Sequence, residues 1–158
     1  MAVVRGLVQR VTSASVVARG ADGAFEPVGE IAAGFCVLIG VTHDDTEATA
    51  RKLATKIWGL RIIDDAAGVM NRSLSDLAAA GQPAEVLAVS QFTLYGETSG
   101  GRRPSWLAAA RPEHAEPLVA IAVEELRRLG CVVATGRFRT DMRVSLVNDG
   151  PVTVMVEL

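Results

Sequence analysis

Residues Ser90-Gln91-Phe92-Thr93-Leu94 follow directly on the apolar run Val86 to Val89, and the whole of Glu85 to Tyr95 reads as one buried central strand. This places a hydroxyl, an amide and an aromatic ring in succession at the end of that strand. A second string, Asn148-Asp149-Gly150-Pro151-Val152-Thr153, sets a Gly-Pro bond between two apolar β runs, Met142 to Val147 and Val152 to Val156. Proline cannot donate to a sheet ladder, so the chain must leave regular pairing there. Each string also has an ordinary reading. The first could be a half-buried strand in which Phe92 and Leu94 alternate with polar partners, and the second a hairpin turn built from Asn, Asp, Gly and Pro.

Outward from these strings, residues 3 to 18 alternate apolar and polar side chains, and Gly20-Ala21-Asp22-Gly23 supplies turn chemistry, which predicts a hairpin. Val28 to Ile31 and Phe35 to Val41 continue as strands, the second apolar enough to be buried on both faces. Asp44 with Glu47 resembles a capping box, and Leu53, Ala54, Ile57, Trp58 and Leu60 follow at helical spacing, so a helix is expected over 45 to 59. Arg61 to Ile63 reads as a short strand before the turn at Asp65 to Gly68, and residues 71 to 84 read as loop. A second helix is signalled by Pro112 or Pro117 near its start, by Leu118, Ile121, Ala122, Leu126 and Leu129 along it, and by Gly130 past its end. Val132 to Thr135 adds another strand. The fold class expected is α/β, mixed, with largely antiparallel β-sheet layers and two main helices. Gly29, Gly34 and Gly40 are too scattered to form a dinucleotide-binding fingerprint.

The chain of 158 residues suits a single domain spanning 1 to 158, long enough to bury roughly two-thirds of its unfolded surface. Although 49% of the residues are hydrophobic, runs such as Phe35 to Ile39 are far too short to span a bilayer, and Arg5, Gln9 and Arg10 interrupt any signal-peptide core. Cys36 and Cys131 sit among apolar neighbours as small buried hydrophobes, and a reduced, cytoplasmic setting is expected. His43 and His114 have no Cys or His at ligand spacing, so solvent-facing positions at helix starts are expected and no metal or organic cofactor. With 16 Lys plus Arg against 18 Asp plus Glu, the balance is not that of a protein that wraps nucleic acid, and any RNA contact must be local. Arginine clusters at Arg102-Arg103, Arg127-Arg128 and Arg137, Arg139, Arg143 suit phosphate recognition, whereas Arg128 could equally pair with Glu124 along a helix.

Together with Val8-Gln9-Arg10-Val11 and Gly100-Gly101-Arg102-Arg103-Pro104-Ser105-Trp106, the two strings make the chain resemble the D-aminoacyl-tRNA deacylases over nearly its whole length. The resemblance implies a homodimeric hydrolase whose substrate is aminoacyl-tRNA, bound at its 3′-terminal adenosine, with neither membrane nor DNA as partner. It implies catalytic roles for Ser90, Gln91, Phe92 and Thr93: main-chain N–H groups near Phe92 and Thr93 steady the developing oxyanion, and Gln91 or Ser90 positions the adenosine. It further implies a cis Gly150-Pro151 bond that enters the partner subunit's pocket, Arg10 as its brace, and Phe138 and Met142 as pocket lining. Thr93 invites assignment as a nucleophile, but no His lies in a constellation that could activate it, and a positioning role is preferred with the ribose 2′-OH helping to activate water. A main-chain wall that clashes with anything on the L side of Cα would reject L-amino acids whatever their side chain, and would accept glycine. Where the family more often reads Phe-Gly-Ala-x-Met, this chain reads Phe138-Arg139-Thr140-Asp141-Met142, which puts a bulky arginine at the pocket floor or within reach of a tRNA phosphate. Two rivals remain at this level: a nucleic-acid or translation-factor binding module that keeps the fold without catalysis, and a related deacylase for a small L-amino acid on a particular tRNA.

Overall fold

The structure, a computed structural model, describes residues 3–158. Its elements run β1 (Arg5–Arg19), β2 (Phe25–Ile31), β3 (Gly34–Gly40), α1 (Glu47–Gly59), β4 (Ile63–Asp64), β5 (Met70–Arg72), α2 (Leu74–Ala79), β6 (Glu85–Ser90), α3 (Pro112–Leu129), β7 (Val132–Thr135) and β8 (Met142–Glu157). The main sheet has the order β2-β1-β3-β6-β7, with β8 on β1. Because β8 pairs with β1 from Arg5 to Ala18, β3 (opposite Arg5 to Val11) and β2 (opposite Ala14 to Arg19) share the other edge of that long strand. Those pairs are antiparallel, while β3-β6 and β6-β7 are parallel. The mixed, largely antiparallel α/β class expected from sequence is the class observed.

The sheet curls until β2 approaches β7, and a Cβ on Gly29 would stand 2.5 Å from the Thr135 carbonyl oxygen. Alternation along the strands therefore feeds two cores. Phe35, Val37, Ile39, Val86 and Ala88 pack against Leu53 and Ile57 of α1 and Leu126 of α3, while Cys36, Leu87, Val89, Val11 and Val16 fill the inside of the curl. As expected, β3 is covered on both faces, and each of its large side chains contributes about 1.5–3 kcal/mol by burial.

Helix ends explain most of the departures from the sequence-based expectations. The N-cap of α1 is Thr46, in a reciprocal box with Thr49, rather than Asp44 with Glu47; Asp45 instead turns inward and accepts from the Thr42 N–H at 2.8 Å. The stretch 71 to 84 is not all loop. Ser73 and Asp76 cap each other's backbone across the first turn of α2, and Met70 to Arg72 pairs with β4. Pro112 is the proline that opens α3, where its missing N–H costs nothing, and Gly130 closes it at φ 114°. On α3 the expected Glu124–Arg128 pair is replaced by Glu124–Arg127 at 2.7 Å, because Arg128 turns to Glu125 at 2.6 Å. Buried Glu125 also receives Arg51 of α1 at 3.2 Å, so one carboxylate ties the two helices together.

Candidate active site

The strand carrying Ser90 does not run on to Tyr95. Its last partner is Ile39, and after the Gln91 N–H donates to the Ile39 carbonyl at 2.8 Å the chain winds into a 3₁₀ turn, Phe92–Tyr95. Gly40 is what lets it do so, since a Cβ there would lie 3.0 Å from Leu94 Cβ and 3.2 Å from the Gln91 carbonyl oxygen. The turn is pinned from β1: Arg5 Nη1 donates to the Leu94 carbonyl at 2.8 Å, and the guanidinium lies 4.5 Å from the centre of the Tyr95 ring. Burial raises the Tyr95 hydroxyl to about 12, with the nearby Asp45 charge adding to it. Phe92, which the ordinary-strand reading would leave half buried, is exposed and meets Trp106 edge to face at 5.5 Å. The N–H groups of Phe92 and Thr93, at the start of the turn, have no backbone acceptor among the described residues.

This turn forms one wall of a cleft of about 650 Å³. Ile39 and Val89 lie at its base, Ser90, Gln91 and Phe92 on one side, Phe138 to Met142 on another, and Trp106 with Ala109 and Ala110 on a third. The third wall was assigned no role from sequence, Trp106 having entered only as the end of a family-like string. It is held by Thr42 Oγ1 donating to the Ala108 carbonyl (2.6 Å), by the Ala110 N–H donating to the Val41 carbonyl (2.9 Å), and by His43 Nε2 against the Leu107 carbonyl (2.6 Å). His43 and His114 are both exposed, as expected, although each contacts a backbone carbonyl. Gly136 makes room for Met142, whose Sδ would stand 2.6 Å from a Cβ at that glycine. Among the described residues lining the cleft there is no histidine, lysine or cysteine, and the one carboxylate, Asp141, is held by Arg19 at 3.0 Å. Thr93 is exposed, and its Oγ1 contacts Gln91 Nε2. No cluster of three or more His, Cys, Asp or Glu able to hold a metal occurs among the described residues.

The second string lies elsewhere on the chain. β8 passes through Gly150-Pro151 as one strand, not two, but between the pairs Gln9↔Thr153 and Val11↔Asn148 four residues, Asp149 to Val152, stand opposite the single residue Arg10. The surplus bulges outward and leaves Gly150 and Pro151 exposed, with their peptide bond cis and Gly150 at φ 127°. Arg10 grips the base of the bulge. Its Nε donates to the Asp149 carbonyl at 3.1 Å, and its Nη1 donates to the Ile62 carbonyl at 2.9 Å and to Asp64 at 3.1 Å. Asn148 closes the other side, accepting from the Val152 N–H and donating to Thr153 Oγ1. Within one subunit, then, Ser90, Gln91, Phe92, Phe138 and Met142 share the cleft, while Gly150, Pro151 and Arg10 are not among its lining residues.

The sequence model described as D-Tyr-tRNA(Tyr) deacylase matches residues 7–157, all but the two ends of the chain. The chain belongs to the D-Tyr-tRNA(Tyr) deacylase family. A D-aminoacyl-tRNA deacylase of Streptomyces avermitilis is similar at 54% identity, covering 97% of this chain and 99% of that protein. Among solved structures, the c-Myc DNA unwinding element binding protein superposes with a TM-score of 0.85 at 34% identity, over 98% of each chain. A structure titled as a probable eukaryotic D-amino acid tRNA deacylase, 16% identical, superposes with a TM-score of 0.81 over 99% of this chain and 100% of its own, which speaks to the fold. In the setting of the deacylase family, the departure at Arg139 takes structural form: it is the one non-glycine residue among those described with a positive φ, 58°, on the cleft wall.

Proposed function

We propose that this protein hydrolyses the ester between a D-amino acid and tRNA, as a cytoplasmic homodimer in which each Gly150-Pro151 bulge seats in the partner's cleft. The observation that carries this reading is the mismatch within one subunit. An apolar-based cleft with hydrogen-bonding groups on one wall stands on one part of the chain, and a braced, projecting main-chain bulge with nothing to fill stands on another. An isologous two-fold contact satisfies both at once. Membership of the deacylase family and the 54% identical deacylase supply the substrate class.

In this mechanism the terminal adenosine lies against Ser90 and Gln91, and the scissile carbonyl points at the N–H groups of Phe92 and Thr93, which hold the oxyanion as it forms. The described residues lining the cleft offer no free base, so Thr93 positions substrate and the ribose 2′-OH helps to activate the attacking water. The carbonyls of the partner's bulge receive the substrate ammonium group. That arrangement leaves room on the D side of Cα and none on the L side, a rejection that does not depend on the side chain. Glycine, with only hydrogen there, gives the wall nothing to reject, so glycyl-tRNA, including glycine mischarged on an alanine tRNA, is a substrate. Neither a metal nor an organic cofactor enters these steps.

Comparing D-alanyl-, L-alanyl- and glycyl-tRNA under one set of conditions tests the reading. D-alanyl and glycyl esters are expected to be cleaved and L-alanyl spared; glycine hydrolysed as poorly as L-alanine would overturn rejection by the wall. The name of the 34% identical structure favours a second reading, a DNA-binding module without hydrolysis. Absence of any D-alanyl-tRNA cleavage, with duplex DNA bound, would decide for it.

A further inference from the structure

Arg139 occupies the cleft wall in a backbone conformation that L side chains rarely adopt, yet its guanidinium makes no hydrogen bond, ion pair or ring contact among the described residues. Its neighbours are all engaged. Arg137 is held by Glu26 at 2.6 Å, Thr140 Oγ1 donates to the Arg137 carbonyl at 2.7 Å, and the adjacent carboxylate, Asp141, is neutralised by Arg19 from two nitrogens at 3.0 and 3.2 Å. Arg143, further along in β8, lies over the Phe25 ring at 4.0 Å. The segment thus supplies Arg139 with no partner of its own and leaves one exposed positive charge among the described residues lining an otherwise apolar-based cleft. A strained residue that satisfies nothing in its own fold points to a ligand.

We infer that Arg139 is an anion subsite that takes a phosphodiester of the RNA strand entering the cleft. The fork of a guanidinium fits two phosphate oxygens, and an exposed position on the wall suits a polyanion passing into the cleft rather than the amino acid enclosed within it. This assignment rests on the tRNA reading above for its ligand. It adds a contact outside the ester chemistry, one that strengthens RNA binding without touching the reacting atoms.

The test measures binding of a short single-stranded RNA ending in CCA to wild type, Arg139→Gly, Arg139→Lys and Arg139→Glu across a range of salt. Arg139→Gly is expected to weaken binding roughly fivefold at low salt and to reduce the slope of log Kd against log salt by about 0.7, the share of one phosphate on a single strand. Arg139→Lys retains most of the slope, and Arg139→Glu binds more weakly than Arg139→Gly. Glycine relieves the positive φ, so the Gly variant is expected to melt no lower than wild type, which separates lost binding from lost fold. In a second arm, D-alanyl-adenosine, which has no phosphodiester, is cleaved equally by wild type and Arg139→Gly, whereas kcat/KM on D-alanyl-tRNA falls by the binding factor. An unchanged salt slope, or equal loss on the adenosine ester, overturns the subsite; selective loss on D-aspartyl-adenosine reassigns the anion to a substrate carboxylate and overturns it too. If wild type cleaves neither ester, the proposed function fails while the RNA titration still decides the role of Arg139.

Discussion

Arg10 Nε donates to the main-chain carbonyl of Asp149 at 3.1 Å, so that a guanidinium rooted in β1, only 12% exposed, sets the position of a bulge 139 residues further along the chain. The same side chain reaches the Ile62 carbonyl and Asp64, which makes it the joint between the bulge and the β4–β5 hairpin. Removing it as Arg10→Met orphans two carbonyls and is expected to cost about 1–3 kcal/mol of stability. Deacylation should fall further than stability accounts for, because the bulge loses its aim. Arg10→Lys keeps the charge without the fork and should recover only part of the activity. Chemical denaturation run beside kinetics on D-alanyl-tRNA checks both; full activity in Arg10→Met would show that the bulge needs no brace.

Thr93→Ala is expected to keep deacylation within roughly tenfold of wild type, the effect of losing one positioning contact of about 1 kcal/mol. Among the described residues lining the adjoining cleft there is no histidine, lysine or free carboxylate to make its hydroxyl a nucleophile. Single-turnover assays settle it: complete loss of chemistry with intact tRNA binding would establish Thr93 as the attacking group.

Sedimentation should show one species of twice the 16.6 kDa chain mass at assay concentration. The proposed cross-subunit site requires it. A monomer with full activity would rule out the seating of the bulge in a partner's cleft.

Acid should loosen the contact between α1 and α3. Hydrogen bonding from Arg128, ahead of the attraction of its charge and of the Arg51 hydrogen bond, holds the Glu125 carboxyl below the ordinary carboxylate range. A lowered folded-state pKa contributes stability that is fully present above the unfolded value and is lost as pH falls through the folded one. Glu125→Gln is therefore expected to be less stable than wild type at neutral pH, with the difference shrinking below about pH 4. Denaturant midpoints at several pH values check this, and a gap that persists at low pH would place the contribution in packing instead of charge.

Gly34→Ala should be among the most damaging single substitutions. Its new Cβ would fall 2.1 Å from the Glu85 carbonyl oxygen, a backbone atom of the neighbouring β6 that cannot retreat without breaking the parallel ladder. A cost of about 3 kcal/mol corresponds to a loss of about 10 °C in Tm for a chain of this size. Gly59→Ala, with nothing within 4 Å of the added atom, is the matched control and should melt no lower than wild type. Thermal melts of the two variants make the comparison.

Much of this fold was legible in the order of its residues because the signals were local. Alternation marked β1, the unbroken apolar run marked β3 as covered on both faces, and Gly130 marked the end of α3 through backbone preferences that act within one turn of chain, while the choice between Pro112 and Pro117 at its start came from the structure. The Ser73 and Asp76 box of α2 was equally local, and the spacing of Ser to Asp was a signal available in the residues themselves. What no local pattern held was the end of β6. Gln91 through Leu94 alternates like a strand, but Ile39 is the last ladder partner of β6 and the bare face of Gly40 is there to receive a 3₁₀ turn. The pairing of Glu125 likewise depended on Arg51 arriving from another helix, and the brace on Gly150-Pro151 on an arginine at the opposite end of the chain. Sequence by itself determined which segments form strands and helices, which faces are apolar and which short strings carry polar groups, since those follow from neighbours a few residues apart. Only the tertiary structure decided that Ser90, Phe138 and Arg139 line one cleft and that Gly150 and Pro151 are not part of its lining, because register, curl and side-chain pairing are set by contacts between residues far apart in sequence.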